Sequence, residues 1–390
     1  KSVCLNNLIM RKITLVFIAL LAYGLQACAQ SPVPKPAEKT AKQQDEVPAP
    51  RKSDAPAPKQ DVVTFALAGD IMMGTTFPDE KKGTYLPEKD GAEIFRDVAH
   101  LFQQADVAAA NLEGVIMEGG KTTKSGQGLN SYIFRMPPRY VKYLVDTSFD
   151  LLSVANNHVN DFGNAGVSST HKLLKEAGIA YSGMKESCPT AVIERAGKKI
   201  GFAAFGHSRG TQSIMDYEAV KRVVSELDTV CDIVVVSFHG GGEGKKYQHV
   251  PHAMENCFGE QRGDVEKFAH TAIDAGADIV YGHGPHVNRA VELYNDRIIL
   301  YSLGNFCTPY RVSLDGVSGY APVVTVTTEA DGRFIDGKIH SFIQQRGVGP
   351  RIDNTNKVAK NIRSLTQADF PNTPLEISDE GIIARKTAAK

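Results

Sequence analysis

The chain has 390 residues, 42% of them hydrophobic, so it can bury a large core and does not belong to the disordered class. Its 44 basic and 44 acidic residues cancel, and no basic stripe alternates with aromatic residues. This balance excludes a global field that attracts nucleic acid. We therefore expect one large domain or two ordinary ones, and no nucleic-acid partner.

The amino terminus has the pattern of a signal peptide. Arg11 and Lys12 precede an apolar run at 13–25, which is too short for a membrane-spanning helix but suits the core of a signal peptide. We interpret Met10 as the start of this segment, with residues 1–9 upstream of it. The sequence therefore predicts a protein that enters or crosses the cell envelope.

The apolar run ends in LQAC at residues 25–28, which resembles a bacterial lipobox and predicts lipidation of Cys28. Gln26 is an unusual residue in such a motif, and an ordinary secretory signal with an incidental Cys28 is the alternative. Residues 29–61 are rich in Pro, Ala and Lys, contain almost nothing that could pack, and are predicted to form an extended tether. We thus expect a lipid-anchored protein on the periplasmic or extracellular face of a membrane.

Four cysteines follow the tether, namely Cys188, Cys231, Cys257 and Cys307. In an oxidising compartment they allow three pairings if all are bonded. None has CxxC spacing, so a site of soft thiolate ligands is not expected. Buried free thiols and one disulfide remain as alternatives.

Apolar runs alternate with helical patterns from residue 62 to residue 384, which we take as one domain with a short tail at 385–390. The predicted strands are 62–68, 107–110, 151–155, 200–205, 233–238, 279–281 and 298–301. The predicted helices are 93–105, 138–147, one that ends near 177, 217–227 and 262–275. Runs at 323–328 and 334–343 flank Asp331 and Gly332 and predict a C-terminal β-hairpin. The rest of the carboxyl end shows one helical pattern at 358–365 and otherwise suggests surface packing.

This alternation indicates an α/β fold with a mainly parallel, buried sheet, whose strand ends lie along one edge. Ligand-type side chains follow many of those strands: Asp70, Glu113, Asn157, His158, His239, His283 and His286. Alone, each has a structural alternative, such as a turn or a helix cap. Together they favour divalent Mn, Fe, Zn or Ni over a calcium site. Their number suits two ions that share a carboxylate, about 3.5–4 Å apart, an arrangement that clamps a phosphoryl group and activates water.

Six motifs occur in order and carry a family resemblance: GDIMMG, ANLEG, SVANNHVNDFG, SFHGGGE, GADIVYGHGPH and YSLGNF. The set resembles the CapA/PgsA family of bacterial capsule and poly-γ-glutamate synthesis proteins, a branch of the calcineurin-like metallophosphoesterases. The resemblance implies a metallophosphoesterase-like sandwich in the cell envelope, one or two divalent ions (Mn, Fe or Zn), and a role in capsule or polyglutamate synthesis or export, with a synthesis complex as partner. A phosphodiesterase or phosphatase of another substrate and a non-catalytic accessory subunit are the alternatives.

The resemblance also implies roles for single residues. The metal ligands would be Asp70 of the first block, Glu113 in place of the bridging Asp, Asn157, His239, and the closing pair His283 and His286. The acid beside the leaving group would be His158. Three departures bear on the metals: Met72 stands where the first block has His, the closing pair is HxxH rather than HxH, and Gly240 stands where the family tends to have Trp.

Four further residues are candidates for substrate binding or for support of the ligands. Glu243 fits the Glu that follows the fourth block in the family. Asn305 follows an apolar run and could support a ligand, with a turn cap as the alternative. His207 and Arg135 could meet an anionic substrate, with an ordinary solvated or packed side chain as the alternative for each.

Overall fold

Two β-sheets stacked face to face form the centre of the structure, a computed structural model that describes residues 61–77, 83–124 and 132–386. The predicted signal peptide with Cys28, the tether as far as residue 60 and the last residues of the tail lie outside the described residues. None of the helices in the described ranges is both long and apolar enough to cross a membrane.

The strands are β1 (Val62–Ile71), β2 (Val107–Leu112), β3 (Val115–Ile116), β4 (Arg135–Met136), β5 (Leu151–Ser153), β6 (Ala180–Ser182), β7 (Thr190–Arg195), β8 (Lys198–Gly206), β9 (Ile233–His239), β10 (Glu255–Cys257), β11 (Glu260–Gly263), β12 (Ile279–His283), β13 (Val291–Tyr294), β14 (Arg297–Leu300), β15 (Asn305–Cys307), β16 (Val323–Glu329), β17 (Phe334–His340), β18 (Phe342–Gln345), β19 (Gly349–Ile352), β20 (Leu375–Ile377) and β21 (Ile382–Arg385). The α-helices are α1 (Ala99–Gln104), α2 (Val141–Asp146), α3 (Gly163–Glu176), α4 (Tyr217–Asp228), α5 (Val265–Asp274) and α6 (Lys357–Asp369). Short 3-10 helices cover Glu88–Gly91, Pro138–Tyr140, Lys245–Tyr247 and Gly316–Gly319.

The larger sheet has nine strands in the order β20-β21-β17-β16-β1-β2-β5-β6, with β15 beside the end of β1. The second sheet has six strands in the order β13-β14-β12-β9-β8-β7. Each sheet contains a run of four neighbouring parallel strands: β1, β2, β5 and β6 in the first, and β8, β9, β12 and β14 in the second. The carboxyl ends of parallel strands lie at one edge of their sheet, so each sheet presents one row of strand ends.

Successive side chains of each strand point to opposite faces of its sheet, and this alternation produces the layers of the fold. Val63, Phe65 and Leu67 of β1 pack between the two sheets, against side chains from β8, β9 and β12. Ala66 and Ala68 face the other way and pack with α1, α2 and α3. Helices α4 and α5 cover the outer face of the second sheet. The result is a helix–sheet–sheet–helix sandwich, and strands covered on both faces explain why the apolar runs are nearly continuous.

The predicted α/β class is confirmed, and several details differ. The site strands belong to two sheets rather than one, and outer pairs such as β16 with β17 are antiparallel. The helix predicted at 93–105 is α-helical only from Ala99, and the one predicted at 262–275 begins at Val265, where the Asp264 side chain caps it. The carboxyl end does more than pack on the surface, because β20 and β21 extend the first sheet. The four cysteines are free thiols.

Candidate metal centre

Two carboxylates lie side by side at the end of the first sheet. Asp70 is opposite Asn111 in the register of β1 with β2, and Glu113 follows β2 directly. The backbone N–H of Glu113 donates to the carbonyl of Ile71 at 2.9 Å, which holds both chain segments together beyond the ladder. Gly69 is required here, because a Cβ at that position would lie 1.9 Å from the carbonyl oxygen of Gly304.

Imidazoles end the neighbouring strands of the second sheet. His239 closes β9 and lies opposite His283, which closes β12. Both are fully buried, because the strands are covered on both faces. The chain then turns through Gly284, at φ +113, and places His286 in a left-handed conformation at φ +57. This backbone strain at a ligand-type residue is typical of a functional site.

The ends of the two sheets meet. His286 Nδ1 lies 2.9 Å from Asp70 Oδ2, and His286 Nε2 lies 3.7 Å from Glu113 Oε1. His283 Nδ1 lies 3.8 Å from Asp70 Oδ1. Asp70, Glu113 and His286 offer ligand atoms that all lie within 4.8 Å of one another, so they form a candidate metal-binding group.

Several buried ligand atoms at this junction have no hydrogen-bond partner among the described residues. They are both ring nitrogens of His239, Nδ1 of His283, Oε1 of Glu113 and Oδ1 of Asn157. Buried polar groups in proteins are almost always hydrogen-bonded, so this concentration needs an explanation. Imidazole nitrogens, carboxylate oxygens and an amide oxygen are the donors of borderline divalent metals, and the residues present therefore fit such ions.

The electrostatics agree with that fit. Burial raises the pKa of Glu113 well above its ordinary value, and the nearby charge of Asp70 adds to the shift. Burial lowers the pKa of His239 well below its ordinary value and that of His283 to about 4. Burial also opposes the charge of His286, but the carboxylates of Glu113 and Asp70 outweigh it and raise its pKa to about 10. The group of Asp70, Glu113 and His286 therefore favours a positive charge beside its carboxylates, which a divalent cation would provide.

His158 lies at the rim of the same junction and is held by a carboxylate that the sequence analysis missed. Its Nδ1 lies 2.8 Å from Asp161 Oδ2 and 3.1 Å from Lys124 Nζ, and Lys124 Nζ lies 2.6 Å from Asp161 Oδ1. The ring stacks on Phe134, with centroids 3.8 Å apart. His158 Nε2 points towards Glu113, at 3.9 Å from Oε1. Burial lowers the pKa of His158, although the charge of Asp161 opposes this.

The other predicted residues have different surroundings. Glu243 Oε2 lies 4.0 Å from His286 Nε2, and Asn305 Nδ2 donates to the carbonyl of His286 at 3.2 Å. His207 Nδ1 donates to the carbonyl of His239 at 3.2 Å, so it supports that ligand. The Arg135 guanidinium donates to the hydroxyl of Thr84 and to the carbonyl of Gly119, and it lies over Phe162.

Two amides, besides Asp161 and Lys124, were also missed. Asn111 Nδ2 donates to Asp70 Oδ1 at 2.8 Å, and Asn156 Nδ2 donates to Asn111 Oδ1 at 3.2 Å. Asn156 Oδ1 in turn accepts from the backbone N–H of His158 at 3.1 Å. The signal was present in ANLEG and in NNHVND, where Asn precedes each candidate ligand and Asp161 follows His158 by three residues. These residues orient the ligands rather than offer free atoms of their own.

An α/β sandwich with a carboxylate–imidazole junction between its two sheets defines a candidate metal-binding protein. Within that class, the chain belongs to the bacterial capsule synthesis protein family PGA_cap, whose sequence model matches residues 64–310. It is 30% identical over 262 residues to the PGA biosynthesis protein CapA of Bacillus subtilis, and the match covers 63% of each chain. It is 27% identical over 279 residues to the capsule biosynthesis protein CapA of Bacillus anthracis, covering 66% of this chain and 63% of that one. Both matches therefore span less than two thirds of the relatives.

The chain also resembles a solved structure, the calcineurin-like phosphoesterase YfkN from Bacillus subtilis. The similarity has a TM-score of 0.39 and 13% sequence identity, and it covers 80% of this chain and 98% of that chain.

Proposed function

We propose that this protein serves capsule or poly-γ-glutamate synthesis or export at the cell envelope, through a metal-dependent hydrolase or transferase site. One observation carries the proposal: Glu113, His239 and His283 at the ends of the two sheets, and Asn157 next to His158, have buried ligand atoms with no hydrogen-bond partner among the described residues. A structural core has no need of such atoms, which destabilise the fold unless a ligand binds them. Family membership and the names of the relatives support the biological setting.

The junction would hold one or two ions of Mn, Fe or Zn. Asp70, Glu113 and His286 would hold one ion, because their ligand atoms lie within 4.8 Å of one another. Asn157, His239 and His283 would supply donors for a second ion, and Glu113 would serve both. Bound ions would polarise the substrate and activate water. Buried Met72 stands where the first block of related enzymes has His, which makes one ion easier to lose.

His158 would place its Nε2 beside the leaving group. Asp161 and Lys124 fix the Nδ1 side of the ring, and Phe134 fixes its plane. The protonated ring, with its Nδ1–H donated to Asp161, would give its Nε2 proton or hydrogen bond to the leaving group, a contribution of roughly 10²–10⁴-fold to rate.

The setting requires an anchor as well as a site. Cys28 would carry the lipid that holds the protein at the membrane, near a synthesis complex. Cys28→Ser should release the protein or leave its precursor uncleaved. If the variant and the native protein fractionate with the membrane alike and neither carries a lipid label, the predicted lipid anchor at Cys28 is wrong.

Two experiments in cells and in solution test the site. Elemental analysis should find one or two transition-metal ions per chain, fewer in the double variant of His239 and His283. His158→Ala should keep its ions and fail to restore polymer production in cells that lack the native copy. If both variants restore production fully, the metal chemistry is dispensable and the protein is an accessory subunit. Robust turnover of small phosphoesters in a parallel screen would instead identify a phosphatase or phosphodiesterase.

A further inference from the structure

A buried guanidinium beside the metal centre has an exposed carboxylate as its partner. Arg262 of β11 is buried, and its Nη1 donates to Glu243 Oε1 at 2.6 Å. Its Nη2 lies 3.3 Å from Oε2 of Glu260, whose side chain is 63% exposed. Its Nε is buried and has no hydrogen-bond partner in the described part of the chain. Arg262 therefore retains donor capacity, and only a surface side chain covers one of its nitrogens.

An imidazole faces the same carboxylate oxygen. His207 Nε2 lies 3.9 Å from Glu260 Oε2 and is a buried atom without a hydrogen-bond partner among the residues described. Its Nδ1 carries a proton, because it donates to the carbonyl of His239. Nε2 of the neutral ring is therefore an acceptor. Arg262, a donor, and His207, an acceptor, thus both face the same atom, Oε2 of Glu260.

The pair formed by Arg262 and His207 adjoins the candidate metal centre. Glu243 joins the two, since Oε1 accepts from Arg262 while Oε2 lies 4.0 Å from His286 Nε2. On the other side, the rings of His207 and His239 have centroids 5.7 Å apart. Phe258, 79% exposed at the tip of the β10–β11 hairpin, lies with its ring 5.9 Å from the Arg262 guanidinium. Arg262 and His207 therefore lie beside the candidate metal centre, near the exposed side chains of Glu260 and Phe258.

We propose that Arg262 and His207 form a carboxylate-binding subsite of the metal centre, and that Glu260 occupies it as an internal competitor. This proposal rests on the proposed function, because the ligand it assigns to the subsite is a carboxylate of an acidic polymer. In a γ-linked glutamate chain, each α-carbon bears a carboxylate and an amide N–H. The carboxylate replaces that of Glu260 on Arg262, and the amide N–H donates to His207 Nε2. Glu243 places a negative charge beside the guanidinium, which favours a carboxylate over a phosphate dianion.

The binding of a short γ-linked glutamate oligomer to the metal-loaded protein, measured by titration calorimetry, tests the subsite. Glu260→Ala should tighten binding by about two- to fivefold, because exposed ion pairs compete only to that extent. Glu218→Ala is the matched control: it removes another exposed acid, paired with Lys221, and should leave the affinity unchanged. Arg262→Lys should weaken binding about tenfold, because lysine loses the planar pair of donors. Elemental analysis should find the same metal content in all four proteins.

The outcomes separate the subsite from the metal centre. An unchanged affinity in both Glu260→Ala and Arg262→Lys, with metal retained, overturns the subsite and leaves the centre intact. A wild-type protein that binds no metal overturns the proposed function, while the two variants still report on the subsite. Inorganic phosphate provides a second arm: if it binds and responds to both substitutions while the oligomer does not, the subsite is not for carboxylates. A glutarate probe, which lacks the amide N–H, should bind more weakly than the oligomer, and equal binding overturns the role of His207.

Discussion

Replacement of His239 by leucine should stabilise the metal-free protein while it weakens metal binding. The ring of His239 is fully buried, and neither Nδ1 nor Nε2 has a hydrogen-bond partner among the described residues. Burial also lowers the pKa of His239 well below its ordinary value, so the ring is neutral. Leucine has a similar size and carries no polar atom that needs a partner.

The magnitude follows from the unpartnered atoms. Each buried polar group without a hydrogen bond costs about 1–3 kcal/mol, so two ring nitrogens cost about 2–6 kcal/mol. A buried water can recover part of this, and the altered shape costs up to about 1.5 kcal/mol. We expect the variant to gain about 1–3 kcal/mol of unfolding free energy in chelator. A divalent ion at 100 times its Kd stabilises the native protein by about 2.7 kcal/mol, a gain that the variant should largely lack.

Urea unfolding of both proteins, in chelator and in excess Mn²⁺, measures these differences. His270→Leu is the control, because His270 is satisfied: its Nε2 lies 2.9 Å from Glu292 Oε2 and its ring stacks on Tyr294. That substitution should destabilise the protein with and without metal. If His239→Leu is instead less stable than the native protein in chelator by about 1 kcal/mol or more, the ring nitrogens have partners and the reasoning is wrong.

Four further outcomes are expected. Divalent-ion affinity should rise with pH by up to about tenfold per unit, because binding displaces the proton from His286, whose pKa is raised to about 10; a flat profile in metal titrations would contradict this. In chelator, the same raised pKa stabilises the fold fully below about pH 6.5 and less as pH approaches 10, so the urea midpoint should fall above neutrality, and a constant midpoint would contradict this. Asp161→Asn should keep its metal but lower polymer production or turnover about tenfold or more, because asparagine holds the ring of His158 less firmly; full activity would remove Asp161 from the mechanism. Gly69→Ala should cost at least about 2 kcal/mol in urea unfolding, since its Cβ would meet the backbone oxygen of Gly304, and a neutral result would show that the two segments move apart easily.

The residues at strand ends could be predicted because a change of polarity marks them. Asp70, His239 and His283 each interrupt an apolar run, and the structure places all three at the carboxyl ends of parallel strands. The pairing between sheets could not be predicted in this way. His286 reaches Asp70 across 216 residues of sequence, and no local pattern records which strand end faces which.

Other omissions have a similar cause. The predicted helix at 262–275 includes Arg262 and Gly263, yet both belong to β11, which pairs with β10 and puts Arg262 beside Glu243. Short strands such as β20 and β21 carry too few residues to show alternation, and their partner strand alone decides their state. Tertiary contacts therefore outweighed local propensity at both places.

Buried polar groups near the candidate metal centre fall into two classes: those whose hydrogen bonds are all made within the protein, and those whose atoms lack a partner among the described residues. The first class supports the fold, and the second indicates ligand binding. Arg289 is fully buried, yet both its terminal nitrogens donate to Glu255 and its Nε donates to the carbonyl of Tyr247. Glu255 also accepts from the backbone N–H of Gly242, so this ion pair fixes the glycine loop that leads to Glu243. Such a pair is complete without a ligand. The nitrogens of His239 are also buried but have no hydrogen-bond partner among the described residues, so we expect an apolar residue there to be more stable without metal. A buried, incomplete side chain of this kind is what a ligand-binding role predicts.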